Sequence, residues 1–220
     1  MVPNWYHGAS GATDELDALG WSTRANETSD DGSARLGKLL WHTMMSLDGF
    51  VAGPNDDMSW VFGLDAGSGE TADKVVASTG ALLVGRRTQD VEDRLQPGFY
   101  GGAFRGPFFV VRHDPPPDPP VVKGVTGRFL DVDMEEAVAI AREAAGDRDI
   151  VVLGANIARQ CLETGLLDEI IVHVAPILLG DGVRLFERVG GEPVKLGPIS
   201  SVDEGGTTVL RYVVKPVSAS

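Results

Sequence analysis

The sequence predicts an α/β protein, in which a mixed, mostly parallel central sheet is covered by helices on both faces and closed by a C-terminal hairpin. Three observations carry this. Short apolar runs alternate with amphipathic stretches between residues 38 and 164. The runs at 81–84 and 150–153 are apolar throughout, as strands buried on both faces are. Beyond residue 170 the helical pattern stops, and segments 199–203 and 207–215 flank Gly205-Gly206 as the arms of a hairpin.

Residues 1–36 have a different texture and are expected to form an N-terminal extension. Trp5-Tyr6 and segment 16–21 suit one small packed piece. Segment 22–35, polar, acidic and rich in Ser, Thr, Asp and Gly, reads as a linker. The main domain is then 37–220. Segment 38–45 is strand-like and ends in the turn signal Ser46-Leu47-Asp48-Gly49. A loop at 52–57 follows, then a helix at 70–79, a strand at 81–84 and a short helix at 88–95. A buried strand at 107–111 is stopped by Asp114-Pro115-Pro116-Pro117, and two short strands are expected at 121–125 and 128–132. Asp133 caps a helix at 134–145, with Glu135 and Glu136 in its favourable first turn. Strand 150–153 leads to a helix at 156–164 ended by Gly165. Strand 170–175 is stopped by Pro176, and Gly180-Asp181-Gly182 is a tight turn.

Composition narrows the function classes. A net charge of −13 argues against a general nucleic-acid or anionic-membrane surface. It also makes the adjacent Arg86 and Arg87 more informative, because positive charge is scarce. The single Cys161 excludes an internal disulfide and a cysteine-rich zinc site, and its place within a helical stretch suits a buried, inert thiol. His7 and His42 carry no partner pattern, and no spacing of His, Asp and Glu suggests a metal site. Met1 to Gly20 show neither a basic start nor an apolar core, and no run approaches a membrane span, so a cytoplasmic protein is expected.

Two glycine-bearing segments carry the chemistry. Gly85-Arg86-Arg87-Thr88 and Gly154-Ala155-Asn156 each follow a buried strand and open a helix. Ligands of α/β sheets bind at those strand ends, where helix N-termini offer unpaired N–H groups to an anion. Two guanidiniums and a hydroxyl suit a phosphate, and glycine admits a ligand close to the backbone. Together they read as a dinucleotide site. On the substrate side, Trp60 offers an aromatic wall for a flat ring, with core packing as the alternative. Asp48, Asp56, Asp57 and Glu70 all fall in the segment that could hold a proton donor; Asp48 is the candidate taken, although an Asp-Gly turn explains it as simply.

These pieces resemble the dihydrofolate-reductase-like superfamily, most closely its RibD C-terminal reductase branch in riboflavin biosynthesis. The resemblance spans about residues 37–215. It rests on Ser46-Leu47-Asp48-Gly49-Phe50-Val51-Ala52, on Leu83-Val84-Gly85-Arg86-Arg87-Thr88 and on Phe109-Val110-Val111-Arg112-His113. Val152-Leu153-Gly154-Ala155, Gly165-Leu166-Leu167-Asp168-Glu169-Ile170 and Pro176-Ile177-Leu178-Leu179-Gly180-Asp181-Gly182 with Leu185-Phe186 follow in the same order. It implies a three-layer αβα dihydrofolate-reductase-like fold, NADPH as cofactor, and a homodimer. Arg86, Arg87 and Thr88 would meet the 2′-phosphate and pyrophosphate, with Gly85 turning the chain. Val111 and Arg112 would lie by the adenosine half. Gly154, Ala155 and Asn156 would line the pyrophosphate and nicotinamide ribose, and Ala52 would approach the nicotinamide. The family usually carries a second glycine where this chain has Ala155, a departure that matters if the position needs an unusual backbone angle. By rough alignment His173 sits where folate reductases hold a threonine near the pterin, which makes it a second catalytic candidate; a hydrogen-bonded core histidine is the plainer alternative. The expected activity is NADPH-dependent reduction of a small pteridine-like or pyrimidine-like substrate, set against a non-catalytic nucleotide-binding relative. Residues 1–36 carry no zinc deaminase signature, so a complete bifunctional riboflavin enzyme is not expected.

Overall fold

The computed structural model describes residues 37–62, 64, 69–95, 98–187 and 190–215. The packed piece and linker expected within 1–36 lie outside the described residues. The chain opens with β1 (Leu39–Ser46), β2 (Phe50–Ala52), α1 (Ser59–Phe62), α2 (Glu70–Ser78), β3 (Thr79–Gly85) and α3 (Arg86–Leu95). It continues through β4 (Phe108–Val111), β5 (Val121–Val122), β6 (Val125–Thr126), β7 (Arg128–Leu130), α4 (Met134–Ala145), β8 (Asp149–Leu153) and α5 (Ala155–Glu163). It closes with β9 (Glu169–Ala175), β10 (Val183–Arg184), β11 (Leu196–Asp203) and β12 (Thr208–Val214).

Among the described residues, eight strands form one sheet in the order β11-β12-β9-β1-β8-β3-β4-β7. Every neighbouring pair from β9 to β7 is parallel, and only β12 and β11 run antiparallel to their neighbours. Strand residues alternate between two cores, as a period of two requires. Leu39, Trp41, Ile150 and Val152 pack with Ala137 and Val138 of α4 and Ile157 and Ala158 of α5. Leu40, Val151 and Ile171 pack with Val75 of α2 and with Phe99, Tyr100 and Phe104 on the opposite face. The three-layer αβα reading therefore describes the molecule.

Local chemistry sets the helix ends that matter for the site. The Asp133 carboxylate accepts from the Glu136 N–H at 2.8 Å and starts α4 as expected. Glu169 is buried between Lys38 and Arg211, with the Arg211 Nη2 at 2.6 Å, which ties β1, β9 and β12 in register. Three expectations are corrected. The single strand expected at 121–125 is a hairpin, because Lys123 and Gly124 take positive φ values of 49° and 80° and reverse the chain. α3 begins at Arg86, two residues earlier than expected, directly after the strand. Finally, β2 and β10 pair in segments next to the expected turns, where no strand was expected.

Candidate functional site

Parallel strands bring their carboxyl ends to one edge of the sheet, and a cleft of about 1150 Å³ opens there. Ala52, Gly85, Arg86, Arg87, Thr88, Val111, Arg112, Gly154, Ala155, Asn156 and His173 all line it. Register explains the convergence of the glycine segments. Val84 of β3 lies opposite Leu153 of β8, and Gly85 lies opposite Val111 of β4. The first turns of α3 and α5 therefore start side by side, at neighbouring strand ends.

Gly154 has φ 110° and ψ 130°, a conformation that side-chain-bearing residues rarely adopt. A Cβ on it would sit 2.7 Å from Thr88 Oγ1. Ala155 begins α5 and is not among the residues with positive φ, so the backbone angle of concern belongs to Gly154 alone. The two arginines differ. Arg86 is paired with Asp90 on its own helix at 2.7 Å, while Arg87 reaches only to 3.9 Å from Asp56. The Arg112 guanidinium lies over the Phe129 ring at 5.4 Å, and its buried Nε has no hydrogen-bond partner. A buried donor left without a partner is costly.

Sequence reasoning missed the polar cluster on the opposite wall. His173 Nε2 lies 2.9 Å from His42 Nε2, and His42 Nδ1 lies 2.8 Å from the Tyr100 hydroxyl. All three residues are buried and line the cleft. Burial, joined by the nearby His173 imidazole, holds His42 well below the ordinary histidine range; burial lowers His173 to about 4. The alternation of Leu40, His42 and Met44 along β1 was the available signal, since it puts His42 on the sheet face where Leu40 packs with Val75 of α2. Glu92 of α3 is buried as well, and its carboxylate, raised chiefly by desolvation, accepts from the Gly98 N–H at 2.7 Å at the start of the Tyr100 turn.

Two expected substrate-side residues stand elsewhere. Asp48 does not line the cleft: its carboxylate accepts from the Ser46 hydroxyl and from the N–H groups of Leu179 and Gly180, at 3.1 and 2.7 Å. The Ser46 hydrogen bond, aided by those backbone donors, holds it below the usual carboxylate value. It fastens two loops, and a carboxylate so occupied is not placed to pass a proton to a ligand. Trp60 also lies off the cleft wall, where Met58 and Val61 stand instead. Cys161 is buried and its thiol is pushed up to about 12, so it is inert. Among the described residues no cluster of potential metal ligands occurs, and no helix is long and apolar enough to cross a membrane.

Comparison with known proteins gives the same architecture. A riboflavin biosynthesis protein from Shewanella sp. PV-4 superposes with a TM-score of 0.67 at 22% identity, over 81% of this chain and 99% of that one. The diaminohydroxyphosphoribosylaminopyrimidine deaminase/5-amino-6-(5-phosphoribosylamino)uracil reductase of Thermotoga maritima matches with a TM-score of 0.61 at 15% identity, over 81% of this chain and 57% of that one. The present chain thus corresponds to a little over half of that protein. The riboflavin biosynthesis reductase Rib7 of Saccharomyces cerevisiae matches with a TM-score of 0.52 at 16% identity, over 82% of this chain and 90% of that one. No curated protein sequence matches the chain. The model of the RibD C-terminal domain matches residues 37–210, so the chain belongs to the RibD C-terminal domain family, a family of reductases.

Proposed function

We propose that the protein is an NADPH-dependent reductase of a small pyrimidine-like or pteridine-like heterocycle. The observation that carries this is the convergence of Gly85–Thr88 and Gly154–Asn156, with the first turns of α3 and α5, in one cleft large enough for a dinucleotide and a second ring. The donor set fits the cofactor. Two helix N-termini and the Thr88 hydroxyl suit a pyrophosphate, and Arg87, only weakly engaged with Asp56, suits a 2′-phosphate. Arg112 lines the same cleft beside Val111, and its guanidinium suits the adenosine half. When bound, the dihydronicotinamide supplies the hydride.

The chain's own residues orient the two reactants and exclude water. Val51, Ala52, Met58 and Val61 make the apolar side of the cleft, where a flat ring stacks out of solvent. Buried neutral imidazoles form the polar side. The pyrimidine class is supported by the Thermotoga relative, whose name gives 5-amino-6-(5-phosphoribosylamino)uracil as its reductase compound. The test is direct. The protein mixed with NADPH and that aminopyrimidine, or a pteridine of similar size, is expected to consume NADPH, read by absorbance, in proportion to substrate reduced. NADPH that neither binds nor is consumed with any member of the two classes contradicts the reading.

A further inference from the structure

β1 and β9 run parallel with His42 opposite Ile171 and Met44 opposite His173, so the two histidines are offset by two residues on one face of the sheet. The offset lets their Nε2 atoms meet at 2.9 Å. Tyr100 reaches His42 from the far side because it holds φ 54° within the turn Phe99–Gly102, and that turn is anchored to α3 through Gly98 and Glu92. His173 Nδ1 has no hydrogen-bond partner among the described residues, and His173 lines the cleft.

Facing Nε2 atoms on two neutral imidazoles can share only one proton. If His42 Nε2 carries it, His42 Nδ1 must accept from the Tyr100 hydroxyl, and His173 must carry its own proton on Nδ1. If His173 Nε2 carries it, every link reverses. The two rings therefore hold opposite tautomers, and the three groups shift protons as one chain whose open end is His173 Nδ1.

We propose that Tyr100, His42 and His173 form a proton relay that delivers the proton of reduction into the cleft from His173 Nδ1. This rests on the reductase reading above, in which a dihydronicotinamide is the hydride donor. Hydride addition to the carbon of a C=N bond forms C–H, breaks the π bond and leaves the electron pair on nitrogen. That nitrogen takes the Nδ1 proton of His173 and becomes N–H. The His42 Nε2 proton passes to His173 Nε2, the Tyr100 hydroxyl proton passes to His42 Nδ1, and water restores the phenol proton. The substrate gains one hydride and one proton, two electrons in all, and a bound dihydronicotinamide would supply the hydride and its electron pair. His173 is the candidate catalytic group; His42 and Tyr100 act through it. Burial keeps both rings neutral at pH 7, which the relay needs.

Nitrogen-resolved NMR of the full, 15N-labelled chain at pH 7, without cofactor, tests the relay. His42 and His173 are expected to be neutral and to hold opposite tautomers. Tyr100→Phe, which keeps the ring, is expected to shift the tautomer balance of His173 even though the hydroxyl bonds His42. Identical tautomers, a charged ring, or an unmoved His173 in Tyr100→Phe overturns the relay. With the aminopyrimidine as substrate, Tyr100→Phe should lower turnover by roughly 10²-fold and leave the NADPH dissociation constant unchanged; unchanged turnover also overturns it. A wild type that binds no NADPH removes the reductase reading and the relay's catalytic role together, whereas the tautomer result alone removes the relay and leaves the reductase reading in place.

Discussion

Gly154 and Thr88 meet back to back: a side chain on residue 154 would place its Cβ 2.7 Å from Thr88 Oγ1. The two glycine-bearing segments thus approach each other closely where β8 and β3 end, and residue 154 has no room for a side chain. Gly154→Ala imposes both this clash and a φ of 110° on alanine. We expect it to cost about 1–3 kcal/mol of stability and to weaken NADPH binding at least tenfold. Denaturant unfolding and NADPH titration check the pair. Ala155→Gly, at the position where the family usually has a second glycine, is expected to change NADPH affinity by less than about twofold, because residue 155 already has a helical backbone.

Arg86 and Arg87 should respond differently to truncation. Arg86 spends its guanidinium on Asp90, whereas Arg87 lies 3.9 Å from Asp56 and is the more available of the two. Arg87→Ala should reduce the preference for NADPH over NADH by about tenfold, the worth of one charge-assisted hydrogen bond to phosphate. Arg86→Ala should do so less. Isothermal titration of each variant with both cofactors ranks them.

Asp48→Asn should act on stability and not on turnover. The amide can still accept one backbone N–H, but it loses the charge that Leu179 N–H, Gly180 N–H and Ser46 now share. A lowered thermal midpoint with turnover within about twofold of wild type is expected. A loss of turnover near 10²-fold at unchanged stability would instead return Asp48 to the chemistry.

Acid should weaken the fold through its two buried histidines. Both buried histidines have folded pKa values below the ordinary 6.5, with His173 at about 4. Between these values the unfolded chain takes up protons that the native state refuses, so stability falls as pH drops from 6.5 towards 4. For His173 the loss is on the order of 3 kcal/mol. Asp48, whose pKa is depressed, contributes stability above its ordinary 3.8 and loses it only below that. Urea midpoints measured across this range should therefore slope, and His173→Gln should flatten the slope.

A homodimer is proposed through the C-terminal hairpin. β11 is an edge strand, and Leu196, Ile199 and Val213 on the hairpin are exposed. Light scattering should return twice the 23.3 kDa chain mass at micromolar concentration. The single-chain mass would contradict it.

Much of this molecule was legible in the order of its residues. The wholly apolar runs of β3 and β8 announce central parallel strands, and the Asp133 cap and Gly165 mark helix ends that the structure keeps. Gly85–Thr88 and Gly154–Asn156 were readable because each joins a strand to a helix, and topology then needs only to make β3 and β8 neighbours. The His42–His173 contact was not readable. It depends on β1 and β9 pairing across more than a hundred residues with a two-residue offset, which no local pattern encodes. Asp48 misled for the opposite reason: an Asp-Gly turn gives no hint that the carboxylate will reach the N–H groups of Leu179 and Gly180. Trp60 misled because a helix of four residues carries too little periodicity to say which side chain turns inward.

A cleft built for NADPH should discriminate for the 2′-phosphate. Titration of the wild-type chain with NADPH and, separately, NADH tests it most directly. Both are expected to bind saturably, with NADPH tighter by about tenfold or more. Equal dissociation constants, or no binding of NADPH at millimolar concentration, would contradict it.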